Sequence, residues 1–400
     1  MTATASSDAL ADAPSPLAGL RVLDFSRVLA GPFAGRMLCD LGADVVKVEP
    51  PEGDTTRLWG KVVGGVPGYF HQQNAGKRNI CVDLRAAGAK ALVLELVRAA
   101  DIVVENFRPD VMGRLGLGWD VLSAANPRLI MLSISGFGQG GPESHRPAYA
   151  PIVHAEAGLI DRTLRRTGSG YDLPLSVADT NAALHGLVAV LSAVILRERT
   201  GRGQHIDLAM MDATVVTDDH MHAELEGVEA HAPPAEPWAT GAGRVLISAD
   251  VRWLWKRLAE VHGLTDGAGP GVSLAEKIER RQAAMRAFLL GLEDWAAVET
   301  AMAAMNIAWG RVRPGRTITE QPTVRHRGTV AEVDDRAGGT RPIPQSPYRF
   351  SAARSEVRGG AAHKGEHNGE VLADWLGRPA GDAATLEAAG VLLAAEPAGD

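Results

Sequence analysis

Between residues 20 and 211, apolar runs of strand length alternate with helix-patterned stretches, and this alternation limits the fold more than any other feature of the 400-residue chain. Leu20–Phe25 has a strand pattern, and a small-residue helix pattern follows through Ala30–Leu38. Gly42 ends that helix, and Asp44–Glu49 reads as a second strand. The series continues with a helix over Ala87–Ala100, a strand at Asp101–Asn106, a helix from Pro109 and a strand at Arg128–Ser135. The longest helical signal runs from Val177 to Arg199, with Ala183, Leu187, Val190, Leu191, Val194 and Ile195 on one periodic face and Gly201 as its stop. Gln204–Met211 then reads as a strand entering a further helix. Strands alternating with helices imply βαβ units and a parallel sheet, whose right-handed crossovers gather functional groups at the strands' C-terminal ends.

At about 150 residues per domain, this length suggests two or three domains with a core that needs no staples. Lys and Arg number 41 against 48 Asp and Glu, giving a net charge of −7. A mildly acidic chain without a basic block is a poor fit to nucleic acid or an anionic membrane surface. The two cysteines, Cys39 and Cys81, exclude a disulfide framework and a four-cysteine zinc site. Residues 1–16 carry neither a basic residue nor an apolar run, so they match no signal or transit peptide and read as a disordered tail. No stretch approaches eighteen uncharged apolar residues, so no membrane span is expected. These features point to a soluble, cytoplasmic enzyme.

After the long helix the composition shifts. Residues 227–243 carry Pro233, Pro234, Pro237, Gly241 and Gly243 and read as a linker. It leads into a smaller region with helices at Trp253–His262 and Leu274–Leu290 and little strand signal. From Thr329 short strands are expected at Thr329–Val333 and Tyr348–Phe350, then two terminal helices. The expected organisation is therefore a tail (1–16), the first part of a large domain (17–225), a linker with a small domain (226–328), and a C-terminal segment returning to the large domain (329–400).

Three groups of residues bear on chemistry. Gly136-Phe137-Gly138-Gln139-Gly140-Gly141 has the G-x-G-x-x-G form after a strand, but Pro142 follows where a dinucleotide fingerprint must open a helix. The loop reads as a close backbone approach to a ligand rather than a nicotinamide site. Asp218-Asp219-His220-Met221-His222-Ala223-Glu224 is rich in ligand atoms, yet His220 and His222 would point to different faces of a helix, so a solvated polar face is expected and no metal. Asp179 lies where the extended Leu173–Val177 gives way to the long helix. A carboxylate there is either an N-cap or a nucleophile favoured by the helix dipole.

Six blocks in order resemble the class III CoA-transferases, to which the α-methylacyl-CoA racemases are related. They are Leu17–Ser26 with Ala30-Gly31-Pro32; Leu41–Pro50; Asn74–Asn79 with Val82-Asp83-Leu84; Ala100–Pro109; Asn126–Ile130; and Arg199–Asp207. Gly365-Glu366-His367 fits as well. The resemblance implies a Rossmann-like large domain, a small domain fed by long linkers, and an interlocked-ring homodimer. It places the nucleophile at Asp179. It places coenzyme A against Leu29, Ala30, Val82, Asp83, Leu84, Arg85, Asn106, Phe107, Arg108 and Arg114, where guanidinium forks suit phosphate oxygens. Tyr149 falls near the reacting centre, where the racemases carry histidine, and Gly136 and Gly138 are the expected substrate-side glycines, whose loop amides are candidate oxyanion donors. The transferases' glycine-rich lid is represented only by Ala239-Thr240-Gly241-Ala242-Gly243. The implied reaction moves coenzyme A, a substrate rather than a prosthetic group, from an acyl-CoA to a carboxylic acid through aspartyl anhydride and aspartyl-CoA thioester intermediates. The alternative on the same fold is racemisation of a 2-methylacyl-CoA, which needs a second acid–base group, with Tyr149 or His154 the nearest candidates.

Overall fold

The computed structural model describes residues 12–228, 236–379 and 381–393. Residues 1–11 of the expected tail, Pro233 and Pro234 of the expected linker, and residues 394–400 lie outside these. The chain divides into two compact units, Met1–Ala230 with Arg327–Asp400, and His231–His326.

The first unit opens with β1 (Arg21–Asp24), α1 (Ala30–Asp40) and β2 (Asp44–Glu49), then a small hairpin of β3 (Val62–Val63) and β4 (Val66–Pro67). α2 (Gly68–Asn74), β5 (Arg78–Cys81), α3 (Ala89–Ala99) and β6 (Ile102–Glu105) follow. Next come α4 (Val111–Arg114), α5 (Trp119–Ala125), β7 (Ile130–Ser135), α6 (Ala150–Glu156), α7 (Leu159–Thr167), α8 (Val177–Thr200), β8 (Gln204–Ala209), α9 (Met210–Thr217) and α10 (Met221–Leu225). The six long strands form one sheet in the order β5-β2-β1-β6-β7-β8, every neighbouring pair parallel. β1, β2, β6 and β7 are buried almost throughout because both faces of the sheet are covered. One core joins the sheet to α1 and α8 through Ala34, Leu38, Ile130, Leu132, Ala182 and Leu187. The other joins it to α3 and to the helix at Asn368–Leu376 through Leu92, Leu96, Val103, Met131 and Trp375.

From β1 the chain first builds β2 and β5 on one side, then crosses to β6, β7 and β8 on the other. The crevice at the C-terminal ends of β1 and β6 is therefore the topological switch point, where open α/β sheets bind ligands.

The second unit corrects the expectation of little strand structure. β9 (Trp238–Thr240), β10 (Gly243–Ile247) and β11 (Trp309–Arg311) form an antiparallel sheet in the order β11-β10-β9. They pack with α11 (Val251–His262), α12 (Leu274–Leu290) and α13 (Trp295–Met305) around Val245, Leu254, Met285 and Met302. The expected lid glycines form the β9–β10 hairpin turn, in which the Thr240 hydroxyl donates to the Gly243 carbonyl at 2.8 Å.

The chain passes through α14 (Pro322–Arg327) back to the first unit and adds the ribbon β12 (Val330–Asp334) and β13 (Thr340–Pro344), then α15 (Asn368–Leu376) and α16 (Gly381–Ala388). The second ribbon strand is thus Thr340–Pro344, and Tyr348–Phe350 is loop. Leu392 bridges Val82 and the Leu393 N–H bonds the Cys81 carbonyl at 3.0 Å, so Leu392 and Leu393 cover the open edge at the end of β5. Gly365 and His367 bond Asn79 on the same strand, which accounts for that motif.

α8 is long and apolar enough, by length and composition alone, to cross a membrane. Its inner side packs on α1, β7 and β8, and its first turn carries Asp179.

Candidate active site

Asp179 is not an N-cap. α8 starts at Val177 with Ser176 as its cap residue, which leaves Asp179 third in the first turn with its side chain available. It lines a cavity of about 410 Å³ together with Arg27, Val28, Ala30, Ser135, Arg146 and Tyr149. The carboxyl is half-buried, and burial pushes its pKa up from 3.8 to about 6, opposed by the backbone N–H groups of Ala150 and Ala30. Those two amides open α6 and α1, so two helices direct their N-terminal donors at one carboxylate.

The Ala30 amide is aimed by the turn between β1 and α1. Val28 adopts a left-handed φ of 68°, an outlier for a β-branched residue. Its N–H is held 3.2 Å from an Asp54 carboxylate oxygen, and Asp54 pairs with buried Lys47 at 3.2 Å. Lys47 also donates to the Ser26 carbonyl at 2.7 Å. Gly31 lets α1 approach, since a Cβ there would lie 2.2 Å from the Ser26 Cβ. Lys77 completes the base of this turn. Its ammonium donates to Asp24 and to the Pro32 carbonyl, both at 2.8 Å, and to Asn74 at 3.0 Å, using all three hydrogens. Burial brings the Lys77 pKa down to about 8.

Asn106 ties β6 to β1: its amide oxygen accepts from the Arg27 N–H at 2.7 Å and its nitrogen donates to the Arg27 carbonyl at 2.8 Å. Glu105 accepts the Phe107 N–H at 2.8 Å, and burial pushes its carboxyl up to about 7. Phe107, in turn, lies under the Arg27 guanidinium.

A second cavity of about 230 Å³ continues along the strand ends, lined by Phe25, Val48, Pro50, Val82, Asp83, Leu84, Arg85 and Leu115. Arg27, Phe107 and Val111 line both cavities, so they form one trough leading away from Asp179. Of the residues expected to hold coenzyme A, Ala30, Val82, Asp83, Leu84, Arg85, Asn106, Phe107 and Arg108 line it. Leu29 is buried beside Ala30. Arg85 is paired with Asp83 at 2.8 Å and Glu52 at 3.2 Å. Arg114 is exposed on α4 and lines neither cavity.

On the substrate side Tyr149, 65% exposed, and Gly136 line the cavity, whereas Gly138 does not. The Gln139 N–H of the glycine loop bonds Asp207 at 3.1 Å. The amides facing Asp179 are therefore those of Ala30 and Ala150, not of the Gly136–Gly141 loop. Sequence reasoning missed Tyr69, whose phenol is pushed up to about 12 by burial and by the Asp179 and Asp54 carboxylates. It also missed Ser135, a buried hydroxyl with no hydrogen-bond partner among the described residues, at the cavity wall. Single polar residues inside loops and strand ends carry no periodic signal that would have marked them.

The acidic stretch near residue 220 is structural. Arg162 binds Asp218 at 2.7 Å and Arg165 binds Glu224 at 2.7 Å. Among the described residues no cluster of three or more His, Cys, Asp or Glu could hold a metal ion.

The family model for CoA-transferase family III matches residues 17–368. The chain is 33% identical over 385 residues to the succinate–glutarate CoA-transferase of Agrobacterium fabrum, covering 90% of this chain and 95% of the relative. It is 44% identical over 207 residues to the acetyl-CoA:oxalate CoA-transferase of Acetobacter aceti, covering 51% and 53%. Among solved structures, a CaiB/BaiF family protein from Brucella suis superposes with a TM-score of 0.79 at 30% identity, covering 90% of this chain and all (100%) of that one.

Proposed function

The chain belongs to CoA-transferase family III, and we propose that it transfers coenzyme A from an acyl-CoA to a carboxylic acid with Asp179 as the covalent nucleophile. The observation that carries this reading is a half-buried carboxylate facing two backbone amides at the head of a trough rimmed by Arg27 and Arg108. In the trough the guanidinium groups hold the phosphates of coenzyme A, and the thioester reaches Asp179.

The carboxylate attacks the thioester carbonyl, the C–S bond breaks, and an acyl–aspartyl anhydride and a thiolate form. A thiol with a pKa near 8.5 leaves without a strong general acid. The thiolate, still held by its nucleotide end, attacks the aspartyl carbonyl and expels the donor carboxylate, leaving aspartyl-CoA thioester. The acceptor carboxylate repeats the sequence in reverse and regenerates Asp179. The Ala30 and Ala150 amides stabilise the oxyanions formed at the aspartyl carbonyl.

Racemisation would need a second proton-transfer group beside the substrate. His154 is fully buried with both ring nitrogens bonded within the protein, which leaves only the Tyr149 phenol of the two candidates. With CoA-transferases as the similar relatives, the transferase reading is the better supported. The working form we propose is a homodimer, because the chain leaves and re-enters its first unit through two connections.

A panel of acyl-CoA donors against carboxylic acids tests the activity, beginning with oxalate, succinate and glutarate, the acids in the relatives' names. Hydroxylamine added with the donor alone should convert Asp179 to its hydroxamate, located by mass spectrometry. A hydroxamate on another carboxylate, or a stable chain with no exchange for any donor, would end the reading.

A further inference from the structure

The first turn of α8 lacks a cap of its own. Ser176 makes no capping bond through its side chain, yet the leading amides of a helix need acceptors. Val177 and Thr180 find backbone carbonyls at 2.9 and 3.0 Å. Of the two amides between them, that of Ala178 finds its acceptor on another helix: its N–H donates to His154 Nε2 at 3.1 Å. His154 stands one turn after Ala150 on α6, so the two share a face. One short helix thus offers its first amide to the Asp179 carboxylate and, four residues on, grips the backbone immediately before Asp179.

The hydrogen bonds fix the ring's state. Nε2 accepts and therefore carries no hydrogen, which leaves the hydrogen on Nδ1. Nδ1 lies 2.7 Å from an Asp172 carboxylate oxygen and donates to it. Asp172 also accepts the Leu173 N–H at 2.8 Å, which anchors the loop leading into α8. A carboxylate behind an imidazole sets tautomer and orientation. The ring has no exposed surface, whereas Asp172 is 40% exposed.

We propose that His154, with its tautomer set by Asp172, is a positioning residue that caps α8 from outside and so sets the Asp179 carboxylate against the Ala30 and Ala150 amides. This rests on the reading of Asp179 as the nucleophile. Because the imidazole supplies the acceptor, Asp179 is not drawn into capping its own helix and keeps both oxygens for the reaction.

The test compares His154→Leu, which fills similar space without an acceptor, with His154→Gln, which returns an amide oxygen near the Nε2 position. A nucleophile misplaced by about 1 Å can cost about 100-fold in rate, so His154→Leu should lower kcat on the order of 100-fold while the Kd for free coenzyme A stays within about twofold. His154→Gln should recover most of the rate. Asp172→Ala, a substitution at the surface, should slow single-turnover release of coenzyme A from acyl-CoA with little change in melting.

The proposal is overturned by a wild-type kcat in His154→Leu, by His154→Gln as slow as His154→Leu, or by coenzyme A affinity falling in step with kcat. Should His154→Leu not fold, Asp172→Ala decides: wild-type acylation there overturns it. Asp179→Asn run in parallel separates the two readings, since an active Asp179→Asn sinks the nucleophile, whereas an inert one beside a fully active His154→Leu sinks only the role of His154.

Discussion

Placing a carboxylate where water is scarce has a measurable cost, and at Asp179 the sign of that cost separates a functional from a structural role. The unfolded chain ionises this group near 3.8, the folded chain only near 6. Folding stability therefore falls as pH rises through that window, and the deficit persists above it. The rise from 3.8 to about 6 corresponds to about 3 kcal/mol at neutral pH. Asp179→Asn, which carries no charge, should then be more stable than wild type at pH 8 by up to that amount, with the difference closing toward pH 4. An N-cap aspartate replaced by asparagine would show almost no change. Urea titrations of both proteins at the two pH values read this, and a gain over wild type no larger at pH 8 than at pH 4 refutes the buried charge. Because the reaction needs the anion, kcat/KM should climb with pH through about 6 and then level off. Position left Asp179 open between an N-cap and a nucleophile, since aspartate is common where a helix begins, and the resemblance to the class III CoA-transferases is what singled it out. Tyr69 and Ser135 left no comparable mark, because what brings Tyr69 near Asp179 and Ser135 to the cavity wall is packing of segments far apart in sequence.

The element that most depends on strain is the turn from β1 into α1. Val28 in the left-handed region costs about 1–3 kcal/mol, and the buried Lys47–Asp54 pair holds it there. Val28→Gly releases the strain but adds chain entropy of about 1 kcal/mol on unfolding. Stability should therefore hold or rise, while kcat falls about tenfold as the Ala30 amide loses its fixed aim. A Val28→Gly protein with a lower Tm and unchanged kcat would show that the turn serves packing alone.

Long elements such as Val177–Thr200 and Leu274–Leu290 were readable from apolar residues at helical spacing, and Asp44–Glu49 from a short, valine-rich run that is buried almost throughout. β5, with the sequence Arg-Asn-Ile-Cys, was not, since two of its four side chains are polar and are satisfied only by tertiary partners: Arg78 by Asp44 and Asn79 by Glu49. β9 and β11, three residues each, are too short to show alternation. α13 is rich in alanine, with only Glu299 and Thr300 to mark its outer side against the buried Val298, Ala301, Met302 and Met305, so its face is faint in the sequence.

For the whole molecule, the outer side of α8 is the feature a single chain leaves unexplained. Leu184, Val188, Ile195 and Leu196 are 42, 61, 56 and 45% exposed. Leu184, Val188 and Ile195 recur at helical spacing, so they form a stripe rather than scattered apolar residues. Each such side chain gains about 1.5–3 kcal/mol when fully buried, and a homodimer would bury the stripe twice. If the two chains interlock as the resemblance implies, wild type should sediment as a dimer at micromolar protein and show no folded monomer at nanomolar protein, because interlocked rings cannot part without unfolding. Val188→Lys with Ile195→Lys places two charges in the stripe. That variant should lose dimer, with Tm falling and unfolded or aggregated chain appearing instead of active monomer. A folded wild-type monomer on dilution would sink the interlocked dimer. A double variant that stays dimeric with an unchanged Tm would leave the dimer standing and move its interface away from α8.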